Sequence, residues 1–324
     1  MTTRRLGVIG TFVWDRIHGR DPAAPVVEEW GGITYALGAL DAALPPAWEI
    51  VPLVKVGADL AREARTFLGT LRRLAPDAAP IEVPFPNNRV TLRYLDSARR
   101  TEVLSGGIPG WSWLGLKPLL SGLDALYVNL ISGWELDLET ALLLRQHFKG
   151  PIYLDLHSLL LARQADGLRT PRHLSSEEIV GWCRTADLLQ VNEDELALLA
   201  ADPLALAATA LAHGVRALTV TLGARGAVYV AAPGFDGIAD LTFPVAQGGT
   251  VRTALLPATP LLDTDEIDPT GCGDVFGATY FSRLLIGDRI VTAMEAAQKA
   301  AARNVRHRGA TGLAHHLRGE LSLQ

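Results

Sequence analysis

Residues 268–274 read Asp268-Pro269-Thr270-Gly271-Cys272-Gly273-Asp274, and the helix-compatible run Val-Phe-Gly-Ala-Thr-Tyr-Phe-Ser-Arg-Leu-Leu follows at once. Gly271 and Gly273 carry no Cβ, so the backbone here approaches an anion closely. A helix starting at about Asp274 turns its free N–H groups and its positive dipole end toward the same spot. A carboxylate at that place repels a phosphate, so a pure phosphate cradle does not explain it. Asp274 makes sense as a base, taking a proton from a hydroxyl that attacks a phosphoryl group held by the neighbouring N–H groups. The ordinary alternative is an Asp N-cap after a Gly-rich loop, and the rest of the chain decides between them.

Working outward, short apolar runs alternate with helical patterns. Residues 6–9, 50–54, 125–130, 152–156, 188–191 and 217–221 read as buried strands. Residues 34–44, 60–74, 138–148, 194–200 and 204–212 read as helices, as do 274–285 and 289–306. Strands apolar on both faces and separated by helices predict an α/β fold: a three-layer sandwich with a central, mostly parallel sheet. Ligands collect at the carboxyl ends of the strands in such sheets.

One region departs from that pattern. Val90, Leu92 and Tyr94 alternate with Arg89, Thr91 and Arg93, which is the period of a strand with one wet face. Residues 96–100 read as a turn and 101–104 as a return strand, with 12–19 adding to the same structure. The expectation is a single domain over 1–324 carrying a small antiparallel β lid built from about 12–30 and 81–105. The lid's apolar face needs cover, from its own chain or from a second subunit.

The chain has 324 residues, 48% of them hydrophobic, enough for a large buried core. Net charge is −5, and the densest basic stretch, residues 303–308, reads as a solvated helix end, so nucleic acid is not an expected partner. Cys183 and Cys272 are the only cysteines, which excludes a disulfide framework and points to a reducing, cytoplasmic setting. The first residues, Met-Thr-Thr-Arg-Arg, run into a short apolar strand without the pattern of a signal peptide, and no apolar run is long enough to span a bilayer, so no membrane association is expected.

Four segments fall in order along the chain: Gly7-Val-Ile-Gly10 followed by Asp15; Gly31-Gly32 opening a helix; Asn192-Glu193-Asp194-Glu195 after a strand; and Thr221-Leu-Gly-Ala-Arg-Gly226, followed by the 268–274 motif. In this order and spacing the chain resembles the ribokinase-like, PfkB-type carbohydrate kinases over nearly its whole length. No Gly-x-x-x-x-Gly-Lys-Ser/Thr sequence is present, which argues against the P-loop kinases. The resemblance implies an ATP-dependent kinase acting on a hydroxyl of a sugar or sugar-like molecule. Asp274 then matches the catalytic base, and Gly271, Cys272 and Gly273 match the anion hole. Asn192 and Glu195 match an Asn-x-x-Glu element that organises Mg²⁺ through water, which suits the preference of Mg²⁺ for oxygen ligands. Thr221, Gly223 and Gly226 match the nucleotide-binding strand end and turn, with Gln298 of the C-terminal helix beside the nucleotide. Asp15, Gly31 and Gly32 match the acceptor site. Asp268 and Thr270 match positions linked to a monovalent cation such as K⁺ in some members. Dimers in the family often form through the lid sheets, so a homodimer is expected.

Departures from the family pattern narrow the acceptor. Ribokinases proper place a Lys after the Gly-Gly pair, an Asn three residues later and an Asn two residues before the acceptor-binding Asp; Ile33, Ala36 and Val13 stand here. A hydroxyl-reading site stripped of three partners discriminates poorly for that sugar, which disfavours D-ribose. Other polar groups offer themselves instead. Asp155 and His157 lie two apart at a strand end, Asn129 lies at another, and Arg89 and Arg93 share a lid face suited to an anionic substrate. Each also has an ordinary reading as a solvated loop or surface position. Pro269 fixes φ and removes one N–H just before the anion hole. Cys272 stands where Ala is common; the helix N-terminus lowers its thiol pKa and Asp268 and Asp274 oppose this, leaving the direction open. Two rival readings remain. Ile33 and Tyr35 beside the Gly-Gly pair suit a nucleoside base, and a non-catalytic binding or scaffold protein would keep the fold without the chemistry.

Overall fold

The computed structural model describes residues 3–18, 25–94, 100–242, 249–261 and 268–320. In chain order the strands are β1 (Arg4–His18), β2 (Val27–Gly32), β3 (Trp48–Gly57), β4 (Ile81–Val83), β5 (Asn88–Tyr94), β6 (Arg100–Ser105), β7 (Ala125–Asn129), β8 (Ile152–Asp155), β9 (Leu161–Arg163), β10 (Arg169–Pro171), β11 (Leu188–Asn192), β12 (Ala217–Thr221), β13 (Ala227–Ala231) and β14 (Arg252–Leu256). The helices are α1 (Ile33–Ala43), α2 (Ala61–Leu68), α3 (Trp113–Leu116), α4 (Leu138–His147), α5 (Ser176–Cys183), α6 (Glu193–Leu199), α7 (Pro203–Ala212), α8 (Cys272–Leu285), α9 (Ile290–Asn304) and α10 (Leu313–Arg318).

The central sheet runs β14-β13-β12-β11-β8-β7-β1-β3-β4. Its pairs from β12 to β4 are parallel, and only the β12–β13 and β13–β14 pairs at one edge are antiparallel, so β13 alone runs against the rest. Alternate side chains of each strand feed two separate cores. Ala125 and Tyr127 of β7 join the core made with α1, α2, α8, α9 and α10, while Leu126 and Val128 join the core made with α3 to α7. This is the three-layer sandwich that the apolar runs predict. Among the described residues no single helix is long and apolar enough to cross a membrane.

β1 ties the lid to the body. Residues 4–11 pair with β3, and the same strand continues so that residues 13–18 pair with β5 and residues 12–17 with β2. The β1–β2 and β5–β6 pairs are antiparallel and the β1–β5 pair is parallel. β4 lies outside this lid sheet, at the β3 edge of the central sheet. The expected turn over 96–100 falls mostly outside the described residues, as does Gly19. The lid face for which the sequence offers a second subunit is covered within the chain itself: Val90 and Leu92 are 8% and 3% exposed and join the main core.

The helix expected over 60–74 stops at Leu68. Its apolar spacing continues, but the chain turns so that Ile50 N donates to Arg73 O at 2.6 Å and Ala75 N donates to Ile50 O at 2.9 Å. Those bonds hold Leu71 and Leu74 against the sheet edge without a helix.

Candidate active site

The loop before α8 and the carboxyl ends of β8, β11 and β12 enclose a cleft of about 460 Å³. Gly271, Cys272, Gly273, Asp274, Asp155, His157, Asn192, Glu195, Thr221, Gly223 and Thr270 all line it. Eleven of the residues picked from the sequence thus meet in one place, although they come from positions 155 to 274.

Gly271 is the N-cap of α8 and takes a left-handed φ of 75°, a conformation that favours glycine. A Cβ there would fall 2.2 Å from the Tyr35 ring, so the loop also depends on glycine to pack on α1. A Cβ at Gly273 or Gly223 would meet nothing within 4 Å, so neither glycine is demanded by protein packing around its Cβ. Asp274 stands in the first turn of α8, is 6% exposed, and accepts a hydrogen bond from Asn129 Nδ2 at 2.6 Å. Asn129 therefore supports Asp274 from the end of β7.

Asn192 and Glu195 form a reciprocal cap on α6. Asn192 Oδ1 accepts from Glu195 N at 2.9 Å, and Glu195 accepts from Asn192 N at 2.8 Å and from Asn192 Nδ2 at 2.7 Å. Burial in the cleft pushes the Glu195 carboxyl up to about 8; the hydrogen bond from Asn192 opposes the shift and the charges of Asp274 and Asp194 add to it. Asp155 is raised well above the carboxylate range by burial first and by Glu195 and Asp274 next. Its oxygens accept from His157 N at 3.1 Å and Gln190 Nε2 at 2.7 Å. His157 holds a φ of 39°, a strained conformation for a residue with a Cβ. Among the described residues that line the cleft, none is Lys or Arg.

The residues expected at the acceptor side, Asp15, Gly31 and Gly32, are not among the lining residues of this cleft. The Tyr35 phenol is raised by burial first, then by the charges of Asp15, Asp268, Asp274 and Glu29. Asp15 is 6% exposed on the lid part of β1, and a Cβ on Gly31 would fall 1.7 Å from its Oδ2. Gly32 takes a φ of 60° as the N-cap of α1, and a Cβ there would meet Thr11 O, Ile131 and Val13.

Several expected contacts are not brought in. Asp15 pairs with Val90 across β1 and β5, so Arg89, one residue away, occupies the opposite lid face. Its guanidinium bonds Asp59 Oδ2 at 2.8 Å instead. Gln298 donates to Leu256 O at 3.4 Å and does not line the cleft. Gly226 closes the β12–β13 turn, where a Cβ would fall 2.0 Å from Leu256 O. Asp268 Oδ1 accepts from Thr270 N at 2.9 Å, and Thr270 O accepts from Asn304 Nδ2 at 2.8 Å, so both oxygens already have donors from the chain. Ile33 packs beneath Gly10, where a Cβ would meet its Cδ1 at 2.5 Å, and Tyr35 lies on Gly271. Neither is set out for a nucleoside base. The direction left open for Cys272 is upward: burial pushes the thiol to about 11, Asn304 opposes this, and Asp268 and Asp274 add to it.

Two buried polar residues escape a sequence reading. Gln190 sits in an apolar strand, and Glu135 accepts from Thr11 Oγ1, Ser132 N and Gly133 N, clamping the loop after β7 to β1. A polar residue alone in an apolar run was the only signal for Gln190.

Among curated proteins none matches the chain significantly. Its fold is similar to that of ribokinase from Thermotoga maritima (TM-score 0.67, 18% identity, covering 98% of this chain and 99% of that one). It is also similar to Burkholderia thailandensis nucleoside kinase in complex with inosine (0.71, 18%, 96% and 92%). Arabidopsis thaliana ribokinase complexed with ribose and ATP is a third (0.67, 16%, 100% and 100%). A model of the pfkB family carbohydrate kinases matches residues 138–316, more than half of the chain and the part that holds α6, β12 and the 268–274 loop. The chain belongs to the pfkB family of carbohydrate kinases.

Proposed function

We propose that the chain transfers the γ-phosphoryl group of ATP to a hydroxyl of a neutral, sugar-like acceptor, with Asp274 as the base. One observation carries the reading. A carboxylate buried to 6% exposure and supported by Asn129 stands in the first helical turn directly after a left-handed glycine. Asp274 takes the hydroxyl proton, the hydroxyl oxygen forms its bond to the γ-phosphorus, and the bond to the ADP leaving oxygen breaks. In this reading the N–H groups of Gly271, Gly273 and Asp274 meet the charge that spreads over the transferred group, while that of Cys272 donates to Pro269 O at 3.1 Å. The lid, joined to the body through β1, closes over Asp15 and excludes water that would otherwise accept the phosphoryl group. Residues 1–324 act in this reading as one kinase domain.

A divalent cation held through water in this cleft is part of the proposal, although no cluster of three or more His, Cys, Asp or Glu among the described residues is set to hold a metal directly. The cleft holds Asp155, Glu193, Asp194, Glu195 and Asp274 with no Lys or Arg among the described lining residues. A polyphosphate there lacks a cationic side chain among the described lining residues, so a bound cation would balance its charge. Asn192 and Glu195 would hold Mg²⁺ through water, and the ion would neutralise phosphate charge when bound.

Neutrality of the acceptor follows from Arg89, which is turned to Asp59, and from the carboxylate of Asp15 at the acceptor side. A nucleoside is the second acceptor class, favoured by the likeness to a nucleoside kinase in complex with inosine. A phosphorylation assay with labelled ATP over neutral sugars, polyols, nucleosides, sugar acids and sugar phosphates tests the reading. Label should pass to a neutral sugar or polyol. Transfer to sugar acids or sugar phosphates alone would overturn the neutral site, and transfer to none would overturn the kinase.

A further inference from the structure

We propose that Gln190 is a positioning residue for phosphoryl transfer, locking the Gly273–Asp274 peptide to Asp155 through one side-chain amide. The inference rests on the kinase reading. β11 is apolar and buried at Leu188, Leu189 and Val191, and Gln190 is 2% exposed among them. Burying an amide in such a strand is costly unless its bonds are made. All of them are directed. Nε2 donates to Asp155 Oδ2 at 2.7 Å and to Gly273 O at 3.2 Å, and Oε1 accepts from the hydroxyl of Tyr153. Two acceptors at one end and a hydroxyl at the other fix which way the amide points.

The placement is specific. Gln190 lies opposite Asp155 in the β8–β11 register, so the pair meets side by side. The approach to α8 needs Gly277, where a Cβ would fall 2.7 Å from Tyr153 Oη and 3.0 Å from Gln190 Oε1. A peptide unit is planar, so holding the Gly273 carbonyl also aims the Asp274 N–H at its other end. A hydrogen bond to the carbonyl polarises that N–H as well. Gln190 thereby sets the direction of one anion-hole donor and the seat of the base, without touching the reacting atoms.

The test compares wild type with Gln190→Met, which keeps length and loses both donors, and with Tyr153→Phe, which removes the hydroxyl that orders the amide. Gln190→Met should lower kcat roughly ten- to a hundredfold, the scale of a small misplacement at a reacting centre. KM for nucleotide and acceptor should stay within about threefold, because the lost effect belongs to the transition state. Tyr153→Phe should lower kcat less, and the double variant should be no slower than Gln190→Met alone, since both act through one amide. The Asp274 amide resonance should shift in Gln190→Met while nucleotide affinity holds. A wild-type kcat in Gln190→Met, a loss confined to KM, or additive single effects would each overturn the positioning role with the kinase intact. If Gln190→Met does not fold, Tyr153→Phe carries the same readouts, and an unchanged kcat there overturns the proposal. Wild type that phosphorylates no acceptor fails the kinase reading and this one together.

Discussion

Asn129 Nδ2 donates to Asp274 Oδ1 at 2.6 Å, joining two residues 145 positions apart in the chain. The bond links the carboxyl end of β7 to the first turn of α8. A buried carboxylate bonded to an amide is held in one orientation, so Asp274, the proposed base, is placed before any acceptor arrives. The side chain that fixes the base thus comes from the part of the sheet next to β1 and the lid.

Replacing Asp274 with Asn keeps the shape and removes the proton acceptor. Phosphoryl transfer should fall about a hundredfold or more, the usual worth of a general base. Nucleotide affinity, measured by calorimetry, should hold or rise, because one negative charge beside the phosphates is gone. Asn129→Leu should give a smaller fall in kcat, since the carboxylate remains but its anchor is lost. Near-normal turnover in Asp274→Asn would remove the base from this position.

Arg89 and Asp15 separate the two faces of the lid. Arg89→Ala should leave the acceptor KM unchanged and cost at most about 1 kcal/mol of stability, the ordinary worth of an exposed ion pair. Asp15→Ala should raise the acceptor KM by about tenfold or more, as expected for lost hydrogen bonds to a charged group. Nucleotide dissociation constants should stay the same in both variants. A weaker acceptor in Arg89→Ala, or weaker nucleotide in Asp15→Ala, would reverse the assignment of the lid faces.

The sequence makes the sheet legible because its parallel strands are buried on both faces and read as plain apolar runs, as at residues 217–221 and 188–191. β13 and β14 escape it. β13 alternates buried and half-buried residues, and β14, at the edge, alternates half-buried and exposed ones up to the buried Leu256, so neither is buried on both faces. The residues that meet in the cleft are legible because glycine and acidic residues stand there at fixed spacing within short loops. Arg89 is a different case. Periodicity assigns it to a face but does not say which face meets the cleft, and that depends on the β1–β5 register between distant segments. Gln190 and Asn129 act through bonds to Gly273 and Asp274 from other strands, a relationship that only the folded chain supplies.

Cys272 should react slowly with alkylating reagents at neutral pH. Its thiol is pushed up to about 11, chiefly by burial, and its sulfur lies 3.6 Å from Ala301 O and accepts from Asn304 Nδ2 at 3.3 Å. Little thiolate is present at pH 7, so the rate should fall well below that of a free thiol. It should rise steeply with pH above about 9. Cys272→Ala should stay active. Rapid modification at pH 7, mapped to Cys272 by mass spectrometry, would show that the sulfur faces the cleft rather than α9.

Glu195 gives the protein a pH dependence of defined sign. Its carboxyl is raised from an ordinary value of 4.5 to about 8, chiefly by burial in the cleft. Between those values the folded chain keeps a proton that the unfolded chain releases. Stability therefore falls as pH rises through that window, by at most ~1.4 kcal/mol per pH unit for one proton. The penalty is complete above the folded value. Thermal midpoints of the metal-free protein, measured from about pH 5.5 to 8.5, should decline. Glu195→Gln keeps an acceptor for the Asn192 cap and has nothing to ionise, so its decline should be shallower. Added Mg²⁺ with ADP should stabilise wild type more at the alkaline end than at the acid end, because the ionised carboxyl is the form that favours a cation. Parallel slopes for wild type and Glu195→Gln would show that this carboxyl is already ionised in the folded chain at neutral pH.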